Sequence, residues 1–80
     1  MVAFMIIIHR RRNDMPEHIK RLFVEQEELN TKVCALNTFI NSNPIYDTLP
    51  AEERYDLNRQ LGAMGDYLHI LTQRLKRAMS

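Results

Sequence analysis

Two stretches of the sequence carry apolar residues at spacings of three and four, and a polar break separates the stretches. In the first stretch Gln26 occupies one position of a series that is otherwise apolar: Ile19, Leu22, Leu29, Val33, Leu36 and Ile40. In the second stretch the series is Leu57, Leu61, Met64, Leu68, Leu71, Leu75 and Met79. Such a spacing places an apolar stripe along one side of an α-helix. The sequence therefore predicts two long helices and an all-α fold.

Capping residues and prolines predict where the helices begin and end. Asn13 or Asp14 can cap the first helix, and Pro16 suits its first turn. The sequence Asn-Ser-Asn-Pro at 41–44 breaks the pattern, and its last two residues can open a single short turn. The second helix is predicted to begin around Pro50, with two glutamates following at the positive end of its dipole.

The two helices are predicted to fold back on each other. Helices of about 26 and 30 residues would each be roughly 40 Å long at 1.5 Å per residue, and a connection of about eight residues joins them. Gly62 and Gly65 lie inside the second helix, where each costs about 1 kcal/mol relative to alanine. We therefore expect a kink or a tight crossing near Gly65. The predicted fold is an antiparallel two-helix hairpin with a kinked second helix.

The apolar stripes are wider than one helix–helix contact requires. Phe23, Cys34 and Phe39 widen the stripe of the first helix enough for it to face more than one partner helix. A hairpin leaves one side of each stripe in water, and a chain of 80 residues gains little net stability from a single core. We therefore expect the hairpins to assemble into a helical homo-oligomer.

Residues 1–13 differ in composition from the predicted hairpin domain, residues 14–80. An apolar run ending at Ile8 is followed by His-Arg-Arg-Arg at 9–12, which predicts an N-terminal tail that is extended or disordered; Met15 could be a second start. The apolar run is far shorter than the roughly 20 residues of a membrane-spanning helix. In a secretory signal the positive charge comes before the apolar run. We therefore expect neither a membrane segment nor a targeting segment.

Charge and residue chemistry argue against several functional classes. The net charge of +1 argues against a dedicated DNA- or RNA-binding protein. The single cysteine, Cys34, has no partner for an internal disulfide and is consistent with a reducing cytosol. No histidine, cysteine or carboxylate spacing matches a metal site, and no glycine-rich phosphate loop is present. We therefore expect a protein that is not an enzyme and that holds neither a metal nor a cofactor.

A set of positions between residues 18 and 75 follows the outline of a known family. These positions are Arg21, Glu25, Leu29, Lys32, Leu36, Phe39, Ile40, Leu49, Pro50, Glu52, Glu53, Leu57, Gln60, Leu61, Met64, Tyr67, Leu71, Arg74 and Leu75. On these positions the chain resembles the phage anti-CBASS sponge proteins. The resemblance implies a kinked helical hairpin that assembles into a hexamer in the host cytoplasm. It also implies binding, without cleavage, of the cyclic di- or trinucleotide messengers made by the host's anti-phage defence.

The resemblance also implies which residues bind the ligand. The family's phosphate-binding lysine falls on Lys32, and its base-stacking aromatic residue falls on or beside His18, whose imidazole offers a smaller face than tyrosine. Arg21 is a further candidate for the phosphates. A twofold pair of protomers would present two Lys32 ammonium groups and two His18 rings, matching the approximate twofold symmetry of a cyclic dinucleotide.

Other interpretations of the same residues stay open at this point. Lys32 can be an exposed helix lysine that pairs with Glu28 four residues earlier. The whole chain can be a structural or adaptor oligomer that binds a host or virion protein through its apolar stripe. A third interpretation is a small nucleic-acid accessory protein that uses the arginines at 10–12.

Overall fold

The computed structural model describes residues 15–80, and these form three helices and no strand. Helix α1 spans Glu17–Ser42, α2 spans Pro44–Thr48 and α3 spans Ala51–Met79. Helices α1 and α3 pack against each other in a body of 48 × 18 × 18 Å. The all-α prediction is confirmed for the described residues. The predicted tail, residues 1–13, lies outside them.

The ends of α1 depend on backbone and side-chain oxygens. The carbonyl of Pro16 accepts hydrogen bonds from the backbone N–H groups of Ile19 at 3.0 Å and Lys20 at 3.1 Å, and Pro16 offers no side-chain cap. The expected caps, Asn13 and Asp14, lie outside the described residues. At the other end the Asn43 N–H donates to the carbonyl of Phe39 at 3.2 Å.

A short corner helix joins the two long helices. The side-chain oxygen of Asn43 accepts a hydrogen bond from the backbone N–H of Ile45 at 2.9 Å, and this cap opens α2. The Tyr46 ring meets the Phe39 ring edge-on, with the ring centroids 6.2 Å apart. The Tyr46 hydroxyl accepts from the Asn58 amide at 2.7 Å, which connects the corner to α3. The break predicted at 41–44 and the short turn that Asn43 and Pro44 open are confirmed, and the corner is fixed to both long helices.

The buried core lies at the open end of the hairpin, away from the corner. Its members are Met15, Ile19, Leu22, Phe23, Leu29, Leu71 and Leu75. Leu71 has no exposed surface, which makes it the centre of this core. Towards the corner the predicted stripe is half-buried at Leu36, Ile40, Leu57 and Leu61. The described hairpin thus covers one half of the predicted stripe more completely than the other.

A polar contact fixes the register of α1 against α3. The Gln26 amide donates to the Thr72 hydroxyl at 3.5 Å across the two helices, so the polar residue in the first apolar series has a polar partner on α3. The Thr72 hydroxyl in turn donates to the carbonyl of Leu68 at 2.9 Å. Together with the Tyr46–Asn58 bond at the corner, this contact establishes that α1 and α3 are antiparallel.

The glycines of α3 lie in a continuous helix that spans Ala51–Met79. A Cβ atom added at Gly62 or Gly65 would meet nothing within 4 Å. The tight crossing expected near Gly65 is therefore wrong within residues 15–80, because no other part of the described hairpin approaches either glycine. The expected kink stays a prediction.

None of the described helices combines the length and the hydropathy that a bilayer crossing requires.

Candidate functional site

Lys32 lies on the exposed surface of α1, in the half of the helix nearer the corner. The side chain of Glu28, one turn earlier, is also exposed, yet no ion pair joins the two within residues 15–80. The Lys32–Glu28 pair, which the sequence leaves open as one interpretation of Lys32, is therefore not formed among the described residues. An exposed pair of long side chains gains little Coulomb energy in water and loses rotamer freedom. The Lys32 ammonium is consequently available for an external anion.

His18 lies in the first turn of α1 and is exposed. In the described part of the chain its imidazole has neither a hydrogen bond nor an ion pair. The ring is therefore open to a stacking partner on its solvent side. The family resemblance implies that this residue stacks on a base, and its exposure is compatible with that role.

The spacing of His18 and Lys32 decides how the two can cooperate. They are 14 residues apart on one helix, which corresponds to about 21 Å along its axis and to directions within about 40° of each other. Both side chains thus lie on the same side of α1, but too far apart to hold one base and its adjoining phosphate. A site that contains both residues needs one from each of two copies.

Arg21 occupies a different electrostatic setting from Lys32. It lines a shallow groove of about 420 Å³ whose other lining residues are Glu17, Lys20, Val24, Glu25 and Glu28. Three carboxylates and two cationic groups give this groove a net negative charge, which opposes the approach of a phosphate. Arg21 is exposed, but the net negative charge of its groove disfavours a phosphate there.

A second groove, of about 460 Å³, lies where α1 meets the corner helix. Its lining residues are Ala35, Thr38, Phe39, Ser42, Asn43 and Pro44. None of these side chains ionises, so the groove has no charge with which to bind a phosphate. Sequence reasoning did not identify it, because the groove depends on the fold of the corner and not on a motif.

The described residues carry no grouping of three or more histidine, cysteine or carboxylate side chains that could bind a metal ion. Cys34 is exposed and free on α1.

A protein-family model matches most of the chain. The model of the Sequestin family matches residues 16–77, which contain the whole of α1 and α2 and nearly all of α3. His18, Arg21 and Lys32 all lie inside the matched region. No curated protein and no solved structure matches the chain.

Proposed function

Because the chain belongs to the Sequestin family, the phage anti-CBASS family of cyclic-nucleotide sponges, we propose that it sequesters cyclic di- or trinucleotide messengers without cleaving them. The match over residues 16–77 is the observation that carries this proposal. Acting in the host cytoplasm, the protein would lower the free messenger concentration and thereby block anti-phage signalling. Such a role needs binding alone, and neither a cofactor nor a metal.

The proposed site combines His18 of one protomer with Lys32 of a second. In a twofold pair of antiparallel α1 helices, the axial separation of about 21 Å brings each His18 beside the other copy's Lys32. Each pair would receive one half of a cyclic dinucleotide, with the base on the imidazole and the phosphate on the ammonium. Arg21 is the weaker candidate for the phosphate because of the carboxylates around it. The exposure of all three residues supports this arrangement.

Assembly into a homo-oligomer, with a hexamer as the expected size, is part of the proposal. Half-buried Leu57 and Leu61 on α3 offer apolar surface that a second hairpin can cover. Leu61→Asp should dissociate or unfold the protein, because an unpaired carboxylate would enter that interface. Light scattering measures the outcome, and a wild-type mass of about 9.5 kDa, the mass of one chain, would contradict assembly.

An adaptor function is the second candidate, and exposed apolar side chains favour it. Ile45 at the corner is 58% exposed and Ile70 on α3 is 54% exposed. Apolar surface of this kind can bind a host or virion protein. The two candidates differ in ligand, so a direct binding measurement separates them.

Isothermal titration with cyclic di-AMP, cyclic di-GMP, 3′,3′-cyclic GMP–AMP and cyclic tri-AMP tests the sponge function. We expect heat with at least one ligand, and chromatography of the ligand released by denaturing the complex should recover it intact. Linear pApA serves as the control and should bind more weakly, since it lacks the closed ring. An absence of heat with every cyclic ligand would contradict the sponge function and favour the adaptor function. Recovery of hydrolysed ligand would contradict sequestration without cleavage.

A further inference from the structure

Tyr67 on α3 is an exposed aromatic residue that the proposed site does not use. Its side chain is 43% exposed, and within residues 15–80 its hydroxyl takes part in no hydrogen bond. A tyrosine ring left open to solvent in this way presents a flat apolar face and a free polar edge. The position of Tyr67 relative to Lys32 indicates what the exposed ring could contact.

The Gln26–Thr72 hydrogen bond fixes where Tyr67 lies along the hairpin. Lys32 follows Gln26 by six residues, and Tyr67 precedes Thr72 by five. Because the helices are antiparallel, both residues are displaced from the Gln26–Thr72 contact towards the corner. Lys32 is displaced by about 9 Å along α1, and Tyr67 is displaced by about 7.5 Å along α3. Tyr67 and Lys32 are therefore nearly level with each other.

Helix geometry also places the two residues on the same side of the hairpin. At 3.6 residues per turn, the side chain of Lys32 leaves α1 about 120° around the helix axis from Gln26. The side chain of Tyr67 leaves α3 about 140° around its axis from Thr72. In antiparallel helices that face each other, these two rotations lead to one side. Asp66 is also level with Lys32, but its rotation leads to the opposite side, so its carboxylate does not neutralise the ammonium.

From this juxtaposition we infer that Tyr67 packs its ring against the base of the nucleotide whose phosphate Lys32 binds, on the face of the base opposite the one that the other copy's His18 would cover. The inference rests on the proposed function. Packed helix axes lie about 8–10 Å apart, so one nucleotide can contact both helices. His18 of the same chain is too distant to serve that base. Phe39 is seven residues beyond Lys32, and the Tyr46 ring already contacts it edge-on.

The test measures binding of cyclic di-AMP and of 3′,3′-cyclic GMP–AMP to the full chain and three variants. Tyr67→Leu removes the ring from a solvent-exposed helix position, and Tyr67→Phe keeps it. Tyr55→Leu is the matched control, because Tyr55 is also on α3 and is 66% exposed. Circular dichroism checks that each variant keeps its helices.

We expect Tyr67→Leu to bind about fivefold to 150-fold more weakly, the fold-change that corresponds to one base–aromatic stack. Tyr67→Phe and Tyr55→Leu should bind like wild type. The chain has no tryptophan and three tyrosines, so its emission comes from tyrosine, and comparing the variants isolates the contribution of Tyr67. Ligand should quench this emission in wild type and in Tyr55→Leu, and much less in Tyr67→Leu.

The experiment distinguishes a failure of the role of Tyr67 from a failure of the proposed sponge function. If wild type binds a cyclic nucleotide and Tyr67→Leu binds it equally well, the role of Tyr67 is wrong and the sponge function stands. If wild type binds neither probe nor any other cyclic ligand of the panel, the sponge function fails and the role of Tyr67 fails with it. Equal weakening by Tyr67→Leu and Tyr55→Leu would also overturn the role, since it would show a general effect on α3.

Discussion

The open end of the hairpin and the corner end are stabilised by different forces. At the open end Met15, Ile19 and Phe23 pack against Leu71 and Leu75, and all of them are buried. At the corner no residue of α2 is buried, and side-chain hydrogen bonds with one aromatic pair fix the backbone. Apolar burial holds one end, and directional polar contacts hold the other.

This difference separates the chain's stability from its proposed binding surface. Lys32 and Tyr67 lie on the corner side of the Gln26–Thr72 contact, where the apolar stripe is half-buried. Half-buried apolar surface is where a second copy or a ligand can add contacts. The open end, already covered by its own side chains, contributes mainly to folding. Substitutions at the two ends should therefore affect different measurements.

Leu71→Ala should give the largest effect on stability. Leu71 is fully buried, so its truncation removes buried methyl groups and leaves a cavity, at a cost of about 2–5 kcal/mol. A chain of 80 residues has a small margin of stability. Urea denaturation followed by circular dichroism should show a large loss of the free energy of unfolding, or an unfolded protein.

Leu61→Ala is the matched control for that prediction, because it makes the same change on α3 where the stripe is half-buried. Measured at a concentration low enough to dissociate any oligomer, its cost should be clearly smaller than that of Leu71→Ala. Equal losses of the free energy of unfolding in the two variants would contradict the proposal that the open end contributes more to stability than the corner end.

Lys32→Ala should have the largest effect on binding and little effect on stability. In a twofold site one substitution removes two charge-assisted contacts, each of about 1.5–3 kcal/mol, so affinity should fall by well over tenfold. The melting temperature should barely move, because Lys32 is exposed and forms no ion pair among the described residues. Raised salt should weaken wild type more than the variant, since screening acts on the charge that the variant lacks.

Lys20→Ala provides the control on the same helix. Lys20 is 12 residues before Lys32, which turns it about 120° away from the proposed site. Titration calorimetry should find its affinity unchanged. A Lys32→Ala protein that binds as tightly as wild type would remove Lys32 from the site.

Local signals in the sequence predict the helices well. The breaking sequence at 41–44 and the proline at Pro50 correspond to an α1 that ends at Ser42 and an α3 that begins at Ala51. Caps and prolines act on the backbone within a few residues, so they need no knowledge of the rest of the chain. The position of the corner helix followed from the same kind of signal at Asn43.

Contacts between distant residues could not be predicted in this way. The heptad spacing treats Leu61 and Leu71 alike, yet their burial differs, because burial depends on which side chains of α1 lie opposite them. The Tyr46–Asn58 bond joins two elements and follows from no motif. The roles of His18, Arg21 and Lys32 came from a family resemblance, and their cooperation depends on a second copy of the chain, so they stay predictions.

Substitutions of His18 should change the binding affinity less than Lys32→Ala does, and they can either weaken or strengthen binding. His18→Ala should weaken binding by up to the value of one base–aromatic stack, about 1–3 kcal/mol. His18→Tyr should strengthen binding, because a larger ring covers more of the base. Both variants should fold like wild type, since His18 is exposed and lies outside the buried core. Calorimetry that gives the same affinity for alanine, histidine and tyrosine at this position would exclude stacking there.

Tyr46→Phe should have the smallest effect, and it should be confined to the corner. The substitution removes the hydroxyl that accepts from Asn58 at 2.7 Å and keeps the ring that contacts Phe39. A hydrogen bond contributes about 0.5–1.5 kcal/mol, and water can replace this one because both side chains lie at the surface. Amide hydrogen exchange should therefore accelerate at Ile45 and Tyr46, while the amides around Leu71 keep their protection. Faster exchange at both ends would contradict the independence of the corner from the core.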